Sequence, residues 1–147
     1  MNKQDIELLM KDLCGRLPYG VKVQPCGSAF PHKFIGYDKG LVRIDTDQRY
    51  ELENIKPYLR PMSSMTEEEA IEFVSLYGVE DFLKVNVTQE CFEIIIDDEL
   101  IPVMKLLYED IHLPVECFDF LLKNHFDFRN LIPMGLALPA PDGMYNF

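Results

Sequence analysis

Tryptophan is absent from this 147-residue chain, and so are the residue spacings on which most cofactor chemistry rests. There is no C-x-x-C, no H-x-x-x-H and no H-E-x-x-H, so no pattern offers zinc its ligands at workable intervals. Asp97-Asp98-Glu99 lacks the interleaved acids and central glycine of a calcium loop. Neither G-x-G-x-x-G nor G-x-x-x-x-G-K occurs, which leaves nucleotide chemistry without a phosphate cradle. No G-x-S-x-G or other nucleophile elbow is present. No apolar run approaches the roughly 18 residues of a membrane span. The start, MNKQDIELLMKDL, is amphipathic and carries Asp5 and Glu7, unlike a secretory leader. The expected setting is cytoplasmic, with no metal, no cofactor and no enzymatic activity.

Cysteine is present but isolated, at 14, 26, 91 and 117. In a chain without an export signal, such thiols are expected to be small buried hydrophobes rather than a disulfide framework. Hydrophobic residues make up 48% of the chain, enough to exclude disorder and to fill one domain or two small packed halves.

Charge is lopsided. Residues 1–60 hold ten Lys/Arg and eight Asp/Glu, a balance of +2, whereas residues 61–147 hold four and seventeen, a balance of −13. An acidic surface repels phosphate backbones. Nucleic acid is therefore an unfavoured partner for the second half; the usual cause of such an acidic excess is solubility, and the rarer one is a basic protein partner or mimicry of a nucleic-acid surface.

Ile6, Leu9, Met10 and Leu13 recur at the spacing of one helical face, with Asp5 as cap and Gly15 as stop. Four strand-like runs follow, at 21–24, 33–37, 41–45 and 49–52. Asp38-Lys39-Gly40 marks a tight hairpin between the middle two. This meander suits a small curved antiparallel sheet, SH3-like or a partial barrel, which needs a helix against it. The organising joint is Tyr50–Glu69. Leu52 and Ile55 tuck one turn under the sheet, and Pro57 and Pro61 forbid a helix. Thr66 and Glu69 then form a capping box that opens a helix over 66–77. That helix is expected to turn Ala70, Ile71, Phe73, Val74 and Tyr77 inward and to stop at Gly78.

Strands are expected at 82–87 and 91–96, a helix from about 99 to 110 with Pro102 in its first turn, and another from Pro114 to about Asn124. The latter carries Val115, Phe118, Leu121 and Leu122 on one stripe. The tail, FDFRNLIPMGLALPAPDGMYNF, is too rich in proline and glycine for a regular element and should lie extended over the surface. The fold class is α+β: one domain over 1–147, sheet-rich over 1–60, helix-rich and acidic over 61–147, with a second hairpin.

IKPYLRPMSSMTEEE at 55–69 and HFDFRNLIPMGLALPAPDGMY at 125–145 together resemble a family of small uncharacterised proteins encoded by gut anaerobic bacteria and their phages. In that family the second stretch reads close to H-F-D-Y-R-G-L-I; here Phe128 and Asn130 replace the tyrosine and glycine. The resemblance covers about a quarter of the chain. It implies a cytosolic setting and a mobile-element origin, and it carries no activity.

Three surfaces stand out. The acidic residues Glu67, Glu68, Glu69, Glu72, Asp97, Asp98 and Glu99 form the candidate interaction surface, against the plainer reading of a solvated first turn. The polar cluster His125, Asp127 and Arg129 could hold an acid–base pair. Without a nucleophile, the structural reading is preferred: Asp127 fixes the turn out of the last helix by pairing with Arg129 or a backbone amide. Tyr19, Lys22, Lys33, Phe34, Tyr37, Arg43, Arg49, Tyr50 and Lys56 could form a base-stacking groove, the alternative function. The expected function is a non-enzymatic protein-interaction module, an accessory protein of a phage or mobile element.

Overall fold

In a computed structural model, the described residues are 1–77, 85–87, 92–96, 99–102 and 115–145. At 74, 77, 85–87, 92–96 and 99–102 the description covers the backbone alone. The fold is α+β, with two compact units. The first joins residues 1–60 to 129–147, and the second is residues 61–128. By sequence the first unit carries eleven Lys/Arg and nine Asp/Glu (+2), and the second three and sixteen (−13). The charge asymmetry therefore follows the structural division. Among the described residues no helix is long and apolar enough to cross a membrane.

In the first unit, α1 (Lys3–Gly15) is followed by a single 3₁₀ turn and by strands β1 (Lys22–Pro25), β2 (His32–Asp38), β3 (Leu41–Ile44) and β4 (Arg49–Tyr50). The start of α1 departs from expectation. Asn2 is the cap, and its side chain accepts from the Asp5 amide at 2.8 Å. The β2–β3 hairpin turns on Lys39 (φ 53°) and Gly40 (φ 79°), the pair of left-handed residues that a two-residue hairpin loop requires. Burial alternates along β1 and β3, so Val23, Val42 and Ile44 face the core.

Leu52–Asn54 makes the expected single turn under the sheet. The joint then becomes a strand, β5 (Ile55–Leu59), paired antiparallel with β1 although it contains Pro57. Its other neighbour is Leu138–Pro139 of the tail, here β9, which runs parallel to it opposite Tyr58 and Leu59. The sheet order is β4-β3-β2-β1-β5-β9. The sheet is open, not a closed barrel, because β5 pairs with β9 and leaves β4 as an end. SH3-like closure is thereby corrected.

The tail also differs from expectation. Leu131, Leu136 and Ala137 are buried with Leu9, Leu13, Val21, Phe34, Ile55 and Leu59 in one core. Two short connections hold it, Leu136 N to Leu131 O at 3.0 Å and Ala140 N to Leu59 O at 2.7 Å. Tyr145 anchors its far end, accepting from the Lys22 amide at 2.9 Å and donating to the Tyr58 carbonyl at 2.8 Å.

The second unit opens with a 3₁₀ turn at Met62–Ser64 and helix α2 (Glu67–Tyr77). The capping box is formed reciprocally: Glu69 N donates to Thr66 Oγ1 at 3.2 Å, and Thr66 N to Glu69 Oε1 at 3.0 Å. Strands β6 (Val85–Val87), β7 (Phe92–Ile96) and β8 (Glu99–Pro102) form an antiparallel sheet in that order. Residues 99–102 are thus a strand rather than the opening of a helix. They pair antiparallel with β7, Ile96 opposite Glu99 and Glu93 opposite Pro102. The Gly78 stop, the turn at 88–90, Cys91 and the rest of the helix expected to 110 lie outside the described residues.

Helix α3 (Val115–Lys123) packs on α2 through Cys117, Phe120 and Leu121 against Ala70 and Phe73. Phe73 and Phe120 meet tilted, centroids 5.9 Å apart. Val115 is 69% exposed and Ile71 52%, so both lie off the stripes expected to bury them. The end of α3 is a Schellman cap: Phe126 N donates to Leu121 O at 3.0 Å and His125 N to Leu122 O at 3.1 Å. His125 takes the left-handed position (φ 61°) that glycine usually fills.

Candidate functional site

The loop between β1 and β2 carries the most chemically suggestive arrangement in the first unit. His32 opens β2 and Asp45 follows β3, and the Asp45 amide donates to the Lys33 carbonyl at 3.0 Å, closing that end of the hairpin. This brings Asp45 Oδ1 to 3.1 Å from His32 Nδ1. His32 Nε2, on the other side of the ring, lies 3.2 Å from Ser28 Oγ. A carboxylate only accepts, so Nδ1 carries the proton. In the neutral ring Nε2 is then the acceptor that faces the hydroxyl.

Asp45 Oδ2 accepts from the Lys33 amide at 3.2 Å. Its slight burial favours the neutral acid, but the Lys33 amide and His32 outweigh that and hold the carboxyl below its usual range. Ser28 Oγ is also within 3.1 Å of the Phe30 carbonyl and accepts from the Phe30 amide at 3.3 Å. Its single proton can therefore serve either His32 or Phe30.

A cavity of about 290 Å³ adjoins this loop. Gln24, Cys26, Ser28, Asn54, Lys56 and Leu138 contribute to its wall. The wall is fixed by Cys26 N donating to Asn54 O at 2.7 Å and by Tyr58 Oη donating to Gln24 Oε1 at 3.0 Å. Sequence reading missed this site. Ser28, His32 and Asp45 match no elbow motif, and His32 meets Asp45 only through hairpin register.

Cys14 and Cys26 are exposed, contrary to the expectation of buried thiols; both lie where the chain leaves a regular element. Cys117 is buried, and desolvation with the Glu116 charge pushes its thiol to about 11, leaving it protonated at neutral pH. Among the described residues no three His, Cys, Asp or Glu side chains are grouped to hold a metal ion.

The polar cluster is divided between the units. Arg129 belongs to the first, where Nη1 donates to Asp12 Oδ1 at 2.6 Å. Asp12 also takes a two-pronged bond from Arg16, Nε to Oδ2 at 2.8 Å and Nη2 to Oδ1 at 2.9 Å, with both side chains fully buried. Asp12 in α1 and Arg16, which caps it, sit at i, i+4, a spacing legible in sequence, although its burial was not. His125 and Asp127 belong to the second unit and are buried, at 3% and 5% exposure. His125 terminates α3.

Of the residues considered for a base-stacking groove, Phe34 is core, and Tyr37 and Tyr50 pack against it. Arg49 lies 3.5 Å from Asp38 and Arg43 3.9 Å from Asp47.

On α2, Glu67, Glu68 and Glu72 are exposed, and Ile71 stands among them. Glu69 is partly occupied by its cap. Asp97 and Asp98 lie outside the described residues, and Glu99 is placed on β8 by its backbone. No protein-family model, no curated protein and no solved structure matches the chain.

Proposed function

We propose that this chain is a cytosolic protein-interaction module that binds a basic partner segment through the acidic face of α2. The observation that carries the reading is Ile71, 52% exposed between Glu67, Glu68 and Glu72. Glu68 and Glu72 lie at i, i+4, where like charges oppose each other by a few tenths of a kcal/mol. Stability alone favours a lysine at 72, and burial alone favours Ile71 facing the core. An exposed apolar side chain flanked by carboxylates suits a Lys/Arg-rich segment that presents an apolar residue of its own. The −13 balance of the second unit extends the same attraction beyond direct contact. The resemblance noted above is consistent with an accessory role in a phage or mobile element.

Affinity capture from a bacterial lysate at low and moderate salt tests this reading. A basic protein retained at low salt and released at moderate salt is the expected result. Capture of no protein at either salt contradicts it. A mobility shift with short single-stranded oligonucleotides separates it from nucleic-acid binding by the first unit, and no shift is expected.

A further inference from the structure

The acidic face makes no use of the Ser28–His32–Asp45 chain or of the cavity beside it. We propose that Ser28 is an activated nucleophile, with His32 as its general base, Asp45 as the residue that positions the imidazole, and the adjoining cavity as the seat for a short acyl ester.

Two independent observations converge on Ser28. One is the hydrogen-bonded sequence, 3.2 Å from Oγ to Nε2 and 3.1 Å from Nδ1 to Asp45 Oδ1, in the order that lets imidazole accept the hydroxyl proton. The other is that Ser28 also lines a cavity of about 290 Å³. A small ligand fits that volume, close to the lower end for binding pockets. Asn54 and Lys56 offer donors to a polar acyl group and Leu138 offers apolar contact, while the Gln24 amide is held by the Ser28 carbonyl and Glu53 adds a carboxylate to the wall. His32 and Asp45 are reachable from solvent, with side chains 21% and 45% exposed, so water for deacylation has access.

The reaction balances without a cofactor. Ser28 Oγ bonds to the ester carbonyl carbon while its proton passes to His32 Nε2. The carbon–alkoxide bond breaks, and the alcohol leaves with that proton. Water then attacks the acyl-serine, giving its proton to His32. The carboxylic acid departs, and the proton returns to Oγ. Asp45 keeps the proton-bearing Nδ1 oriented throughout and touches no reacting atom.

A fluorophosphonate probe on the full-length protein, with the adduct mapped by mass spectrometry, tests this. The expected result is a single adduct on Ser28, lost in Ser28→Ala. In His32→Gln the labelling rate should fall by about 100-fold or more. In Asp45→Asn it should fall while the probe concentration for half-maximal rate stays unchanged, a split that a merely structural role does not produce. Thermal melts of each variant establish that the fold persists. Should a variant fail to fold, wild-type labelling under competition by p-nitrophenyl acetate decides: ester that slows labelling supports the site, and ester without effect overturns it. Absence of an adduct, an adduct on Cys26 or Lys56 instead, or equal labelling of folded His32→Gln also overturns it.

Discussion

Arg129 Nη1 donates to Asp12 Oδ1 at 2.6 Å, so a residue of the returning tail completes an ion pair begun in the first helix. Asp12 is fully buried beneath two guanidinium groups, and Arg16 is equally buried. Neutralising the carboxylate weakens both bonds that Asp12 makes to the buried Arg16 guanidinium. Asp12→Asn should therefore destabilise by about 3–5 kcal/mol. Arg129 is 19% exposed, and its removal leaves Asp12 still held by Arg16, so Arg129→Met should cost only about 1–3 kcal/mol. Urea denaturation of the two variants checks the order.

Tyr145 gives a second, pH-dependent signature. Burial, the largest influence, pushes its phenol up to about 12. The unfolded phenol ionises near 10. The folded state thus keeps a proton that the unfolded chain releases. Stability that is fully present below pH 10 is lost as the pH climbs to about 12, by up to about 3 kcal/mol. Tyr145→Phe removes this loss, and at neutral pH it costs about 1–3 kcal/mol because the Lys22 amide loses its acceptor. Melting curves from pH 8 to 12 on both proteins distinguish the two effects.

At the end of α3, His125 holds a left-handed backbone, φ 61°, and a buried ring. His125→Ala and His125→Gly remove the same ring, but only glycine adopts that backbone freely. The glycine variant should be more stable than the alanine variant by about 1 kcal/mol. Equal stability would deny the strain argued at this cap.

Thr66→Ala should cost about 1 kcal/mol, since Glu69 N loses its acceptor. Glu69→Ala breaks the reciprocal bond to Thr66 N. The two changes should be less than additive, because each already disables part of one box. Chemical denaturation of the single and double variants measures the coupling.

Local patterning made much of this fold legible. Alternation marked the meander, Lys39-Gly40 its hairpin, and Thr66 with Glu69 the start of α2. What stayed hidden was non-local. β9 is two residues long, too short for any period, and it exists because Tyr58 and Leu59 pair with Leu138 and Pro139, 80 residues later in the chain. Pro57 reads as a breaker, yet it pairs with Val23 within an inner strand. Ile71 satisfied a helical stripe on paper but lies outside the arc that meets α3. Ser28, His32 and Asp45 carried no motif because hairpin register, not spacing, brings Asp45 to His32.

The acidic face of α2 is the central functional claim, and charge reversal tests it most directly. The partner captured by the wild-type chain should be titrated against the triple variant Glu67→Lys, Glu68→Lys, Glu72→Lys, with Ile71→Ser measured alongside. Each is an exposed position, so the fold should persist. The account predicts that the triple variant binds at least about 100-fold more weakly, and that Ile71→Ser weakens binding without altering its salt dependence. Unchanged affinity in the folded triple variant would contradict it.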